Sequence, residues 1–374
     1  MKSKKTQKKK ADPVILGITF ILLIFGLIML ASAGVVLSET RFGDAYYLFK
    51  RQLLFGVIPG LALFFIFQKV NYRFWKKVSV LLFFVTIILL FLVLMPGIGS
   101  SYKGASSWID LGPISFQPTE MAKFTMIIYL AAWLESRGRK IKSFKEGLLP
   151  FLAILCAVSA LIISQPDLGT LGAIVIISVM MLFASGAPIK HLAGLFAGGV
   201  SIILLLIKLE PYRMDRLKVF LGTGIDPQGI GYQINQALMA VGSGGLFGLG
   251  LGYSRQKFNY LPEPVGDSIF AIIAEELGFI GAGLLLLLFI AFALRGFRIA
   301  RFAPDQFSRM VAIGISSWII FQALINIMAI IKLIPLTGIT LPLISYGSSS
   351  LVFTLLGIAV LLNISKHTDL SVKK

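Results

Sequence analysis

An aspartate at the start of an apolar segment, Asp267, is the residue that the sequence singles out for chemistry. Glu263 lies four residues earlier, between Pro262 and Pro264, which restrict the backbone that leads to the aspartate. A carboxylate at the edge of a low-dielectric region holds a proton more readily than one in water, which suits a general base. The alternative is that Asp267 only caps the following helix, and by position alone this interpretation has at least the same weight.

Two further carboxylates, Glu275 and Glu276, stand inside the apolar segment that follows Asp267. They lie about 12 Å from its start at a rise of about 1.5 Å per residue, where a carboxylate normally faces a cavity or a partner. We predict that Glu276 forms a structural pair with a lysine or arginine, and we leave the role of Glu275 open. A glycine run precedes them, and it could bring amides to a diphosphate or, more commonly, allow close packing of a re-entrant segment: Gly242, Gly244, Gly245, Gly248, Gly250 and Gly252.

Acidic residues also stand at two other predicted helix starts. The sequence QPTE (117–120) followed by Lys123 is typical of a helix N-terminus, and Glu120 and Lys123 are spaced to form an ion pair. Asp167 occupies a similar place in QPDLG (165–169), where it can cap the next helix. Acids beside prolines at several helix starts suggest a shared polar pocket, although capping alone would explain them.

The composition is typical of a polytopic membrane protein. Of the 374 residues 57% are hydrophobic and 14% are charged, whereas a soluble protein of this size needs more polar surface. A single cysteine, Cys156, excludes an internal disulfide and a cysteine-based metal cluster. The two histidines, His191 and His367, fall at segment ends placed in the cytoplasm, which argues against a catalytic triad or a histidine metal site on the outer face. There is no GxxxxGK[ST] loop, so we expect no nucleotide as cofactor.

Hydropathy predicts an all-α polytopic protein with about ten transmembrane helices in a single domain, residues 13–366. Residues 1–12 form a disordered basic tail and residues 367–374 a short second tail. Most of the 35 lysines and arginines fall on the side of these tails, so the positive-inside rule places both termini in the cytoplasm. The net charge of +18 therefore reflects membrane orientation rather than nucleic-acid binding. The predicted spans are residues 13–36, 51–67, 78–95, 122–133, 148–164, 168–184, 191–208, 268–294, 310–333 and 351–365.

Residues 210–267, between spans 7 and 8, form the largest predicted outer loop, and residues 96–120 form another long outer segment. Within the large loop, residues 213–221 indicate a basic amphipathic helix at the membrane interface, and residues 232–241 a second short helix. Residues 340–350 predict a break before the last span that could line the same cavity. The basic residues of the loop could bind phosphate or merely contact headgroups, with equal weight: Arg213, Arg216, Lys218, Arg255 and Lys257.

Six motifs follow one another over nearly the whole chain: KGASSWIDLG, FQPTEMAK, QPDLGT, GYQINQALMAVGSGGLFGLGLGYSRQKFNYLPE, DSIFAIIAEELGFIG and GITLPLISYGSSS. Together they resemble the SEDS family (shape, elongation, division, sporulation) of peptidoglycan glycosyltransferases. LFKRQLLFG (48–56) and LMPGIG (94–99) favour its division-type FtsW branch over the elongation-type RodA branch. The chain departs from the family at residues 265–266, where His-Thr is common, at Ser268 in place of Phe, and at SYGS in place of SYGG.

The resemblance implies roles for single residues. Asp267 matches the family's essential aspartate and is expected to be the general base. Seven further residues are expected to bind substrate or shape its cavity: Arg216, Glu263, Lys257, Glu120, Lys123, Asp167 and Ser345. No metal site follows from the residues, although a divalent cation, Mg²⁺ or Mn²⁺, is one candidate for neutralising the leaving diphosphate.

The resemblance also implies substrates and partners. Lipid II and the undecaprenyl-diphosphate-linked glycan would be joined at the outer face of the bacterial cytoplasmic membrane, in septal cell-wall synthesis during cell division. A class B penicillin-binding protein, a transpeptidase, is the expected partner, with other membrane proteins of the division or elongation complex. Two alternatives stay open: a flippase that moves lipid II across the membrane, and a non-catalytic scaffold of the cell-wall synthesis complex.

Overall fold

Long helices packed side by side make up most of the protein, in a computed structural model that describes residues 10–97, 99–102, 105–110, 112, 115–209, 211–222 and 229–368. Most of the two predicted tails, residues 1–12 and 367–374, lies outside the described residues. The helices are α1 Pro13–Ala33, α2 Val35–Phe42, α3 Tyr47–Gln52, α4 Ile58–Phe67, α5 Arg73–Leu92, α6 Pro118–Arg137, α7 Leu149–Ile163, α8 Leu168–Ala184, α9 Ile189–Leu209, α10 Pro211–Leu221, α11 Ile230–Ser243, α12 Ile269–Arg301, α13 Gln306–Ile330 and α14 Ser348–Ser365.

Each of the ten predicted spans overlaps a helix of the structure, and the span 51–67 falls on one continuous stretch, Tyr47–Phe67, in which π-helical residues Leu53–Val57 join α3 and α4. The prediction of a multi-pass helical membrane protein is confirmed. Seven helical stretches of the described chain are long and apolar enough to cross a membrane, and Leu168–Ala184 and Ile189–Ile202 are shorter apolar helices. Helix α6 carries Glu120 and Lys123 near its start. The count of ten spans and the outer position of residues 210–267 remain predictions. The two short helices predicted inside that loop are present as α10 and α11.

A small antiparallel sheet departs from the all-α expectation. Its strands are β1 Gly99–Tyr102, β2 Ala105–Asp110 and β3 Ser115–Phe116, paired in that order. They lie in the segment 96–120, to which the sequence analysis assigned no strands. The sheet is anchored to helix ends, because Ser107 Oγ donates a hydrogen bond to Gln165 O at 3.4 Å. Strand formation here satisfies backbone groups that would otherwise lie unpaired beside the bundle.

The helices divide into a buried centre and a periphery. In the most apolar 18-residue stretch of each helix, 83% of α13 and 78% of α14 is buried, but only 22% of α5. The peripheral helices therefore turn apolar side chains outward, as expected where lipid replaces water. We call the end that holds the starts of α6, α8 and α12 the outer end, and the opposite end the inner end, following the positive-inside assignment.

Helix α12 is broken at Gly278, whose φ of 67° and ψ of −170° are not helical. The glycine run fills this break. The amides of Leu249 and Gly250 donate to the carbonyl oxygens of Glu275 and Glu276, both at 3.0 Å. A Cβ at Gly244 or Gly248 would overlap backbone atoms of α12. The glycines thus serve close packing, and these two amides are not available to a diphosphate.

Candidate active site

Asp267 lies at the outer end, between the loop and α12. Its carboxylate accepts hydrogen bonds from Gln233 Nε2 of α11, 3.4 Å from each oxygen. Gln233 also donates to Ser268 Oγ at 3.1 Å. The N-cap position of α12 belongs to Ser268, one residue later than the capping interpretation of Asp267 required. Asp267 is partly exposed as a residue, and its carboxylate is held by Gln233.

The backbone of Asp267 is fixed from two sides. Asn326 of α13 donates through Nδ2 to Asp267 O at 2.7 Å and to Ile339 O at 2.8 Å. Just before the aspartate, Ser345 Oγ donates to Gly266 O at 2.7 Å, and the amide of residue 346 donates to the carbonyl of residue 265 at 2.8 Å. These bonds tie Asp267 to α13 and to residues 331–347, which we call the linking segment. Preorganisation of this kind is what a catalytic carboxylate needs.

The linking segment gathers candidate residues from several helices. Leu336 O accepts a hydrogen bond from Arg216 Nη1 of α10 at 3.1 Å. A Cβ added at Gly338 would lie 4.0 Å from Asp267 Oδ2. A Cβ added at Gly169, at the start of α8, would meet the carbonyl oxygen of residue 337 at 2.6 Å. The linking segment is therefore contacted by Arg216, by Asp267 and by the start of α8. Because this segment is not helical, the predicted break before the last span is confirmed.

A series of buried polar contacts runs from Lys123 to the linking segment. It is fully buried, and its Nζ donates to Glu120 Oε1 and to Gln322 Oε1, both at 2.8 Å. The ammonium also lies 5.4 Å from the ring centre of Trp318. Gln322 Nε2 in turn donates to Thr340 O of the linking segment at 2.9 Å. The predicted Glu120–Lys123 pair is confirmed, and in this structure the Lys123 ammonium is not available to a substrate.

Asp167 caps α8, as predicted, and does more. Oδ1 accepts from the amide of Thr170 at 3.0 Å, and Oδ2 accepts from Thr119 Oγ1 at 3.3 Å. The second bond joins the start of α8 to the start of α6, next to Glu120. The starts of α6 and α8 are thus joined by a polar contact, and a pocket shared by all the acidic helix starts remains a prediction.

Lys257 and the two glutamates of α12 form a separate cluster. Lys257 Nζ lies 3.0 Å from Glu276 Oε1, and Ser32 Oγ donates to the same oxygen at 2.8 Å. The predicted structural pair for Glu276 is confirmed. Glu275 accepts hydrogen bonds from Ser254 Oγ and from the Arg255 amide. Both glutamates therefore hold the loop against α12, and the buried Lys257 ammonium cannot reach a substrate in this arrangement.

The other candidates lie on the loop. Glu263 is partly exposed and adopts a positive φ of 51°, and its carbonyl oxygen accepts from the amide of Gly266 at 3.1 Å. Lys218 is exposed and pairs with Asp215 at 3.6 Å. The side chain of Arg213 lies outside the described part of the chain. Among the described residues, no three or more His, Cys, Asp and Glu side chains are grouped as a metal site.

Sequence reasoning missed three residues that position Asp267 and its surroundings: Gln233, Gln322 and Asn326. Gln322 and Asn326 are four apart in the apolar helix α13, a spacing that places both on one face. Polar side chains there usually bond across to neighbouring elements, and this signal could have found them. Gln233 gave no comparable signal, because α11 is amphipathic and carries other polar residues.

Residues 13–370 match the model of a family of cell cycle proteins that includes FtsW, RodA and SpoVE. The chain belongs to this family. It is 47% identical over 363 residues to stage V sporulation protein E of Bacillus subtilis, covering 97% of this chain and 99% of the relative. It is 39% identical over 354 residues to a probable peptidoglycan glycosyltransferase FtsW of a Geobacter species, covering 95% and 96%. Membership of the SEDS family is confirmed, while its branch remains a prediction.

Solved structures agree with this assignment. A chain of a peptidoglycan synthase complex, described for its coordination of polymerization and crosslinking, has a TM-score of 0.79 and 29% identity, over 95% of this chain and 97% of that chain. The crystal structure of the rod shape determining protein RodA of Thermus thermophilus has a TM-score of 0.69 and 29% identity, over 95% and 96%. The SEDS protein described above therefore shares its fold with both over nearly its full length.

Proposed function

We propose that this protein is a peptidoglycan glycosyltransferase that polymerises lipid II at the outer face of the cytoplasmic membrane, in septal cell-wall synthesis. The observation that carries the proposal is the placement of Asp267. Asp267 is partly exposed, its carboxylate accepts hydrogen bonds from Gln233, and its backbone is fixed by Asn326. Relatives that bear the name peptidoglycan glycosyltransferase align with nearly the whole chain, which supports the same conclusion.

In the proposed reaction, Asp267 accepts the proton of the 4-hydroxyl of the acceptor sugar. The hydroxyl oxygen attacks the anomeric carbon of the lipid-linked glycan, so a glycosidic bond forms and the bond from that carbon to the diphosphate oxygen breaks. The anomeric centre inverts, and undecaprenyl diphosphate leaves with the bonding electron pair. General-base assistance of this kind contributes about 10²–10⁴-fold to a rate. The substrate supplies its own leaving group, in keeping with a sequence that lacks a nucleotide-binding loop.

The diphosphate needs positive charge near Asp267. Arg216 fits this role, because its guanidinium is anchored to Leu336 O, two residues before Gly338, where an added Cβ would lie 4.0 Å from Asp267 Oδ2. Guanidinium groups bind phosphate oxygens in pairs. A divalent cation, Mg²⁺ or Mn²⁺, would be held by the Glu263 carboxylate together with phosphate oxygens, since Mg²⁺ is commonly bound through one or two carboxylates and substrate phosphates. Such an ion would neutralise charge on the diphosphate. Glu120, Lys123, Asp167 and Ser345 position the site rather than touch the reacting atoms.

The partner belongs to the same proposal. A chain of similar fold occurs in a peptidoglycan synthase complex that links polymerization to crosslinking. A glycan polymerase makes the strands that a transpeptidase joins, so we infer that a class B penicillin-binding protein binds this chain, among other membrane proteins of the division complex. Co-purification of the two proteins from the membrane would test this pairing.

Replacing Asp267 with asparagine tests the chemistry. Asp267→Asn keeps the side-chain shape but cannot accept the proton, so we expect normal insertion and folding with glycan formation from purified lipid II reduced about 10²–10⁴-fold. Asp215→Asn is the matched control, because Asp215 is an exposed carboxylate of the same loop, 3.6 Å from Lys218. It should polymerise lipid II at the normal rate.

The same assay separates the alternatives. Unimpaired polymerisation by Asp267→Asn would remove the aspartate from the reaction. A wild-type protein that yields no glycan in detergent but moves lipid II across sealed vesicles would be a flippase. A protein that does neither, yet recruits the transpeptidase with every carboxylate replaced, would be a scaffold.

A further inference from the structure

A cavity opens at the inner end of the bundle. It has a volume of about 270 Å³ and lies where α6 ends, α8 ends and α13 begins. These three helices pack against one another. The lining residues Leu134 and Gly138 follow Glu120 by 14 and 18 positions, so the cavity lies about 21–27 Å from Glu120 along the α6 axis, at about 1.5 Å per residue. It is therefore separate from the candidate active site.

Two basic side chains line this cavity because of local backbone geometry. Residues Gly138–Lys142 form a 3₁₀ turn, in which side chains three apart eclipse one another. Arg139 and Lys142 are three apart, and both are exposed and line the cavity. Lys140 points elsewhere and pairs with Glu146 at 3.2 Å. The turn thus presents two of its three basic residues to one space.

The charge in the cavity is unbalanced. Its lining contains no carboxylate, and the polar lining groups besides Arg139 and Lys142 include the Gln306 amide and the Ser185 hydroxyl. In the described part of the chain, the carboxylates near the cavity have other partners: Glu146 pairs with Lys140 and Glu135 with Lys76. Asp305, next to Gln306 in the chain, accepts hydrogen bonds from Tyr72 Oη at 2.6 Å and from the Ser308 amide at 2.8 Å, and it lies 3.8 Å from Arg73. Two cations beside a neutral amide donor form a site for a phosphate group, which accepts several charge-assisted hydrogen bonds.

The position of the cavity identifies the source of the phosphate. Large apolar side chains stand close to it in the chain and are exposed: Phe144 is 57% exposed, Phe183 55% and Ile189 75%. Such residues need a hydrocarbon environment, and the basic residues next to them need a polar one. The boundary between the two is the depth of phospholipid headgroups, and the positive-inside rule assigns this end to the cytoplasmic leaflet.

We propose that this cavity binds the phosphodiester of an anionic glycerophospholipid of the cytoplasmic leaflet, with Arg139 and Lys142 on its oxygens. The bound lipid also contacts the ends of α6, α8 and α13, the helices that carry Lys123, Asp167 and Asn326 at the outer end. Because the lipid binds the folded bundle and not the unfolded chain, it stabilises the protein. The proposal is independent of the reaction at Asp267.

The test uses the full-length protein in detergent with phosphatidylglycerol as the probe and phosphatidylcholine as the zwitterionic comparison. Lipid adducts are measured by native mass spectrometry, and thermal unfolding is measured in parallel. The Arg139→Gln/Lys142→Gln variant should bind phosphatidylglycerol at least about tenfold more weakly, because two charge-assisted contacts are lost. The matched control, Lys145→Gln/Lys190→Gln, removes the same charge from exposed inner positions outside the lining and should bind as the wild type does.

Three outcomes would overturn the proposal. One is undiminished binding of phosphatidylglycerol by the cavity variant. Another is an equal loss in the control variant, which would indicate diffuse attraction between a basic surface and an acidic lipid. The third is equal stabilisation of the wild type by inorganic phosphate, which would identify a site for a soluble anion. Lys142→Gln alone should give an intermediate affinity, and it serves as the readout if the double variant does not fold.

Discussion

The ammonium group of Lys123 is fully buried, and three neighbouring side chains take the place of its hydration shell. Glu120 and Gln322 accept its hydrogen bonds at 2.8 Å, and the Trp318 ring lies 5.4 Å away. A buried charge of this kind is tolerated only with its partner in place, because removing one member leaves the other without compensation. The pair is thus a fixed part of the structure that supports the linking segment.

Lys123→Met should be strongly destabilising for this reason. We expect a loss of about 3–5 kcal/mol, the usual consequence of leaving one member of a buried pair unpaired. Glu120→Gln combined with Lys123→Met removes both charges and should recover a large part of the loss. Thermal or denaturant unfolding of the purified variants measures both effects. Equal stability of the single and double variants would show that the two charges do not depend on each other.

Local pairs were accessible from sequence, and pairs across the fold were not. Glu120 and Lys123 are three residues apart, so helical spacing alone predicted their contact. Asn326 reaches Asp267 over 59 positions of the chain, and Gln233 reaches it over 34. Such bonds depend on how α11, α13 and the linking segment pack, and no local pattern encodes that packing.

The glycine run and the break in α12 form one structural element. The loop amides donate to carbonyls of α12 before the break, and the amides of Phe279 and Ile280 donate back to Gly245 and Leu246 at 2.8 and 3.1 Å. The helix and the loop thus satisfy each other's backbone groups at a depth where water is scarce. The contact requires side chains small enough for two backbones to meet.

Gly244 and Gly242 provide a matched pair to test this contact. A Cβ at Gly244 would overlap the carbonyl oxygen of Ala274, whereas a Cβ at Gly242 would meet nothing within 4 Å. Gly244→Ala should therefore cost about 1–3 kcal/mol through overpacking. Gly242→Ala, inside α11, should be neutral or stabilising by up to about 1 kcal/mol. Comparable unfolding temperatures for the two variants would contradict the close contact.

At the scale of elements, periodic apolar segments were predictable and irregular ones were not. The helices at the ten predicted spans follow from hydropathy, because a membrane allows few other ways to satisfy the backbone. The sheet in residues 99–116 and the path of residues 331–347 depend on contacts with helix ends, such as the bond from Ser107 to Gln165. The break at Gly278 was also missed, since a glycine inside an apolar run is equally compatible with an unbroken helix.

The distribution of charge organises the whole molecule. Carboxylates that build the candidate site lie at the starts of α6, α8 and α12, whereas the basic cavity lies at the opposite ends of α6 and α8. The positive-inside rule predicts that the first group faces the substrate leaflet and the second faces the cytoplasm. Catalysis and lipid binding would then occupy opposite faces of one helix core.

Single cysteines can test this orientation, because Cys156 is the only native one and it is exposed on α7. In a Cys156→Ala background, Lys218→Cys on α10 should react with a membrane-impermeant maleimide in intact cells. Lys145→Cys, at the inner end, should react only after the membrane is permeabilised. Both lysines are exposed in the structure, so accessibility within the protein does not separate them. The reverse pattern would place Asp267 in the cytoplasm, away from any outer-face substrate, and would move the basic cavity to the external leaflet.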